Sequence, residues 1–250
     1  MTAAAAAAAA AAIGIGAGIG SGLIAPQKLT PMPPAGWVGL DTRLAPARGN
    51  LAADLANKRA LIESGRAIRP QRVLVFPEAV LDDWLQGTRQ QFALAVPPGQ
   101  IWLIGAQVRP TSTPSMTPTP GGKLVNAVVA VEQGKAHALP LTAAAGLLLG
   151  GNWRPWNAQG LQPAGVQHVF ALDGQRVWAA LCVEQLQPWS WMQAMAERPT
   201  LILAMSNAWW ASPGSFAPRI QVASIKAWAR LMHVPVIWAN NRSPQKTNPA

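Results

Sequence analysis

The chain has 250 residues, half of them hydrophobic and 12% charged, with a formal charge of +10. This fits one α/β domain with a sizeable core and excludes a disordered polyelectrolyte. A single cysteine excludes an internal disulfide and a cysteine-rich zinc site, and with three scattered histidines no structural metal is expected; no motif in the chain calls for a cofactor.

Thr2 to Gln27 carries no charge, and a run of ten alanines leads into the alternating glycines from Ile13 to Gly20. Residues 1–25 have the length of a membrane span, but alanine and glycine are weakly apolar, and a low-complexity tail is the competing reading. No strand precedes the glycines and no Gly-Lys-Ser/Thr follows, so they are not a phosphate loop. Residues 26–35 are proline-rich and read as a linker, residues 36–243 as the globular domain, and residues 244–250 as a tail. The apolar run Val73–Phe76 predicts a buried strand, followed by a helix from Ala79 to Phe92. Strands are predicted over Ile101–Gly105, Leu124–Val131, Val177–Leu181, Thr200–Ala204 and Val234–Ala239. Gln107 to Gly122 reads as an exposed Pro/Thr/Ser loop. Phe216, Ile220, Ala223, Ala227 and Leu231 recur at helical spacing, which predicts a helix over Phe216–Met232. Strands alternating with helices argue for an α/β fold.

Reactive groups in such sheets sit just beyond the carboxyl ends of strands. Glu78 follows one buried strand, and Cys182 and Glu184 follow another. A carboxylate beside a thiol can serve as its general base, and a nearby cation favours the thiolate. The competing readings are an inert core cysteine and an acid in an ordinary exposed turn. The basic residues are scattered, with no run of five, which argues against a nucleic-acid partner; the charge reads as solubilising or directed to a membrane.

Phe76-Pro77-Glu78-Ala79 resembles the catalytic-glutamate motif of the nitrilase (carbon–nitrogen hydrolase) superfamily, and Leu181-Cys182-Val183-Glu184 resembles its nucleophile motif. Ser206-Asn207-Ala208-Trp209-Trp210-Ala211 looks like the Asn-Asp-Ala-Trp-Phe-Gly segment of the apolipoprotein N-acyltransferase branch. Gln221–Arg230, Val234–Ile237 and Ala239–Ser243 resemble the helix, strand and Asn-rich loop that follow there. The combination of these segments, with Asn152-Trp153-Arg154-Pro155-Trp156 before the cysteine strand, most resembles the acyltransferase-like group found with plasmid transfer genes.

The resemblance implies an α/β, nitrilase-like, four-layer α-β-β-α sandwich, shortened at the C-terminus. It implies a Glu–Lys–Cys triad in which Cys182 forms a thioester, Glu78 moves the proton, and a lysine stabilises the oxyanion. Lys135 is the candidate, although it follows Gly134 immediately where the family places its lysine further along; a shortened hairpin and a missing lysine both stand. Lys123 is a second candidate. Glu184, Trp209 and Asn207 would belong to the substrate side of the site. Trp189, Trp191 and Trp210 read as core packing, with an acyl-chain pocket or a membrane interface as the competing reading, and Asn207 and Asn240 read equally as residues at the site mouth or in ordinary turns. The implied partners are a lipid or amide acyl donor, the membrane and proteins of the conjugation machinery, with a homo-oligomer left open. The implied location is the bacterial inner membrane, with the domain facing the periplasm. Two other functions compete: an inactive nitrilase-fold scaffold of the transfer apparatus, and a soluble amidase acting on a small amide.

Overall fold

The structure, a computed structural model, describes residues 31–47, 49–109, 124–144, 167–212 and 214–244. The Ala/Gly segment 1–25, most of the Pro/Thr/Ser loop and Asn152–Trp156 lie outside the described residues.

The elements run β1 (Trp37–Gly39), α1 (Leu51–Ala67), β2 (Val73–Val75), α2 (Gln86–Ala95), β3 (Ile101–Val108), β4 (Val125–Glu132), β5 (Lys135–Ala136) and β6 (Thr142–Ala143). Then follow β7 (Phe170–Leu172), β8 (Gln175–Leu181), a 3-10 turn (Cys182–Leu186), α3 (Pro188–Glu197), β9 (Leu201–Ala208), α4 (Phe216–Met232) and β10 (Val236–Arg242). The first sheet has the order β1-β2-β3-β4-β5, with β6 also on β4, and the second has the order β10-β9-β8-β7.

Alternation along the strands divides the apolar residues into three layers. Leu74, Phe76, Trp102 and Ile104 face α1 and α2 through Leu61 and Phe92. Val73, Val75, Leu103 and Val128 meet Val177, Leu203, Met205 and Ala239 between the sheets. Trp178, Ile202 and Ala204 pack under Trp191 of α3 and Ile225 and Ala229 of α4. This is the expected four-layer sandwich. The sheets join at one edge, where the Thr42 N–H donates to Asn240 O (2.9 Å), the Arg242 N–H donates to Thr42 O (2.9 Å), and Thr42 bridges Asn241.

The elements differ from expectation in places: β3 runs on to Val108, into the expected loop, and β10 runs on to Arg242, through the expected Asn-rich loop. The helix expected from Ala79 begins only at Gln86, because Ala79 has a φ of 45° and Leu81 instead bridges Ala106 of β3. The helix α1 was not expected, because its apolar residues form no single stripe: Leu51 and Leu55 are exposed while Leu61 and Ile62 are buried. Its Gly65 lies flush on Trp102, where a Cβ would come within 2.5 Å of the indole. The helix α4 has the expected ends, but its stripe of Phe216, Ile220 and Leu231 faces outward, and the buried face is Gln221, Ile225 and Ala229. Among the described residues no helix is long and apolar enough to cross a membrane.

Candidate active site

Two turns at the carboxyl ends of β2 and β8 meet between the sheets. On the first, Glu78 is 6% exposed, which a carboxylate tolerates only with strong hydrogen-bond partners. Its Oε1 accepts from Asn126 Nδ2 of β4, and its Oε2 accepts from the Asn207 N–H of β9 at 3.1 Å. Gly105 of β3 makes the turn possible. A Cβ there would stand 2.3 Å from Pro77 O and 2.5 Å from Glu78 Cα, while its carbonyl accepts from the Val80 and Leu81 N–H groups.

On the second turn, Cys182 has a φ of 45° directly after a buried strand. A left-handed cysteine costs about 1–3 kcal/mol and turns its side chain out of the strand's register. The thiol is hydrogen-bonded to the Glu78 carboxyl, and it receives the Val183 N–H and Gln221 Nε2, the latter at 3.9 Å. Burial pushes the Glu78 carboxyl up to about 7, against the pull of its partners Cys182, Asn126 and Asn207. Burial, with the Glu78 charge beside it, pushes the Cys182 thiol well above its ordinary value. Below pH 7 both groups are therefore neutral. Above it, the carboxylate is poised to take the thiol proton.

Glu184 is fully buried and its Oε2 accepts the Leu181 N–H at 3.4 Å, so it holds the thiol turn from behind. Asn207 is likewise spent on structure. Its Nδ2 donates to Ala79 O (3.2 Å), and its Oδ1 accepts from Asn241 Nδ2 (2.8 Å). Asn241 in turn holds the Leu44 backbone at both its N–H and its carbonyl. Trp209 is half-buried, whereas Trp210 and Trp238 line the large cleft beside α4. Trp191 stacks on Trp228 in the core, and Asn240 accepts from Ser206 Oγ at 2.6 Å.

The structure does not bring Lys135 to the pair. Lys135 is exposed and opposite Glu132, at the far end of β4 from Asn126. Six residues of strand separate Glu132 from Asn126, about 20 Å. The segment that returns beside β4 near the site carries Thr142 and Ala143, paired with Val128 and Ala127. Lys123 lies outside the described residues. Asn126, Gln221 and Asn241 escaped the sequence reading. Asn126 left a signal there as a polar residue within an otherwise apolar strand, and Gln221 and Asn241 lie in the family-like helix and Asn-rich segment without standing out singly.

No protein-family model matches the chain. It is 32% identical to the conjugal transfer protein TraB of Agrobacterium fabrum over 84% of its length, and 27% identical to a probable TraB of Sinorhizobium fredii over 83%. The chain spans about half the length of these proteins, 49% and 52%. Among solved structures it resembles the glutamine-dependent NAD+ synthetase of Acinetobacter baumannii, at a TM-score of 0.58 and 13% identity, over 82% of this chain and 37% of that one. It also resembles the nitrilase-superfamily amidase of Nesterenkonia AN1, at a TM-score of 0.50 and 16% identity, over 82% and 74%. The chain therefore has the fold of the nitrilase, or carbon–nitrogen hydrolase, superfamily, and in sequence it is a relative of the conjugal transfer protein TraB.

Proposed function

We propose that this chain serves conjugal plasmid transfer through acyl chemistry at Cys182. The observation that supports this is the contact between a strained, left-handed cysteine and a buried carboxyl held near neutrality. Sγ attacks the carbonyl carbon of an amide or lipid acyl donor as Glu78 takes the thiol proton. The C–N or C–O bond then breaks, the leaving group recovers that proton from Glu78, and the acyl group remains as a thioester. Water, or an amine acceptor, attacks the thioester while Glu78 accepts its proton, and the thiol is restored. This reading puts the domain at the bacterial inner membrane facing the periplasm, and cell fractionation tests that placement.

The chemistry is tested by mass spectrometry after incubation with candidate amide and lipid donors. An acyl adduct on Cys182 is expected, and it should be absent in Glu78→Gln. A folded protein that takes no adduct from any donor would sink acylation. The placement of Lys135 away from the pair favours a second reading, a scaffold of the transfer apparatus without turnover. Plasmid transfer that survives Cys182→Ala would establish that reading instead.

A further inference from the structure

A cleft of about 1370 Å3 lies between α4 and the outer face of β10. Period-two alternation turns Ile237, Ala239 and Asn241 inward, so Trp238, Asn240 and Arg242 line the cleft. Arg219, Val222 and Lys226 recur at helical spacing on the facing wall. With Arg43 from the loop after β1, four cations share one cleft.

Counter-charge is scarce there. All ten acidic side chains of the chain fall within the described residues. Asp41 pairs with Arg242 at 2.6 Å, and the other ion pairs lie elsewhere. Among the described residues, no carboxylate pairs with Arg43, Arg219 or Lys226. The first turn of α4 opens on the same cleft with no acid in it, and Ser215 Oγ, at its N-cap, is buried there without a partner among the described residues. A 17-residue helix adds partial positive charge at that end. Trp210 and Trp238 supply flat apolar surface beside these cations.

We propose that this cleft binds an amphipathic anion. A phosphate or carboxylate head would meet Arg43, Arg219 and Lys226, and an apolar body would lie against Trp210 and Trp238. Gln221 both lines the cleft and touches the Cys182 thiol, so a bound ligand lies one side chain from Sγ. Binding does not depend on thiol chemistry, and it is measured on the full chain carrying Cys182→Ser, so that failure of the thioester reading leaves it standing.

Calorimetry with dodecyl phosphate, kept below its micellar threshold, is the test. Inorganic phosphate, dodecyl maltoside and a single-stranded oligothymidine serve as the other arms. Dodecyl phosphate is expected to bind about tenfold tighter than either the neutral amphiphile or inorganic phosphate, a difference set by head and body together. Its affinity should weaken as salt is added. The exposed double change Arg219→Gln with Lys226→Gln should cost about tenfold, while Arg59→Gln, on the other side of the molecule, should cost nothing. Equal binding of the maltoside, equal binding of inorganic phosphate, indifference to the double change, or tighter binding of the oligonucleotide would each overturn the proposal.

Discussion

The turns that carry Glu78 and Cys182 follow parallel strands of different sheets, and each contains a residue with a φ of 45°, Ala79 and Cys182. They are held in opposite ways. The acid turn is clamped by groups far off in sequence: Gly105, Asn126 and Asn207, with Asn241 behind them. The thiol turn is held chiefly from within its own sheet. Glu184 accepts the Leu181 N–H, and the Gln185 amide bridges Ala180 O (3.0 Å) and Met205 O (2.9 Å). One turn thus fixes a buried charge with partners from both sheets, while the other presents a side chain by local backbone geometry. Changes remote in sequence should therefore act on the acid.

The sharpest break is Gly105→Ala. Its new methyl group would meet backbone on three sides, which cannot rotate away as a side chain would. We expect a loss of about 3 kcal/mol in denaturant unfolding, or failure to fold. A stability within a few tenths of a kcal/mol of the parent would show that the acid turn is not clamped against β3.

Glu78→Gln separates the charge from the clamp. The folded carboxyl titrates near 7, above its ordinary 4.5, so the native state holds the proton more tightly than the unfolded chain. Stability from this group is complete below about pH 4.5 and is lost as pH rises through about 7. The glutamine variant does not titrate. It should be more stable than the parent by about 3 kcal/mol at pH 9 and should gain nothing at pH 4. Asn126 can accommodate the change by a flip, since its Oδ1 is buried without a partner among the described residues. Iodoacetamide alkylation of Cys182 should rise through about pH 7 in the parent and lose that inflection in the variant. Parallel stability curves would remove the raised carboxyl from the account.

Asn207→Ala tests the remote clamp. It removes the bonds to Ala79 O and from Asn241 Nδ2 but spares the backbone N–H on Glu78. A cost of about 1–2 kcal/mol is expected, together with slower alkylation of Cys182 above pH 7. Loss of stability with an unchanged alkylation profile would make Asn207 structural alone.

The ends of β2 and β8 and the facing pair of Glu78 and Cys182 were legible because a short apolar run ending in Pro-Glu or in Cys-Val-Glu is a local pattern. The clamp was not, because Asn126, Asn207 and Asn241 come from three strands, and their partners are set by which strands the topology stacks. The stripe of Phe216, Ile220 and Leu231 announced the helix correctly yet named its outward face. Periodicity gives an angle around the axis, and Gln221, a polar residue, occupies the side that meets Cys182. Lys135 stands out in the sequence only by its neighbours, Gly134 and His137. The tight Glu132–Lys135 turn then spends it at the wrong end of β4.

Lys135→Ala is the smallest expected effect and the one that decides how far the comparison reaches. The ammonium is exposed, at the far end of a strand whose near end touches Glu78, so solvent and salt screen whatever field it exerts on the pair. Its loss should change stability by less than about 0.5 kcal/mol, as for an exposed residue in a turn. The pH profile of Cys182 alkylation should be superimposable on that of the parent. A profile displaced by a full pH unit would require Lys135 to reach the pair, which the pairing of Glu132 with Lys135 forbids unless the hairpin refolds. The charge of the site would then belong to three groups, and the contrast between a clamped acid and a locally held thiol would have to be redrawn around the lysine.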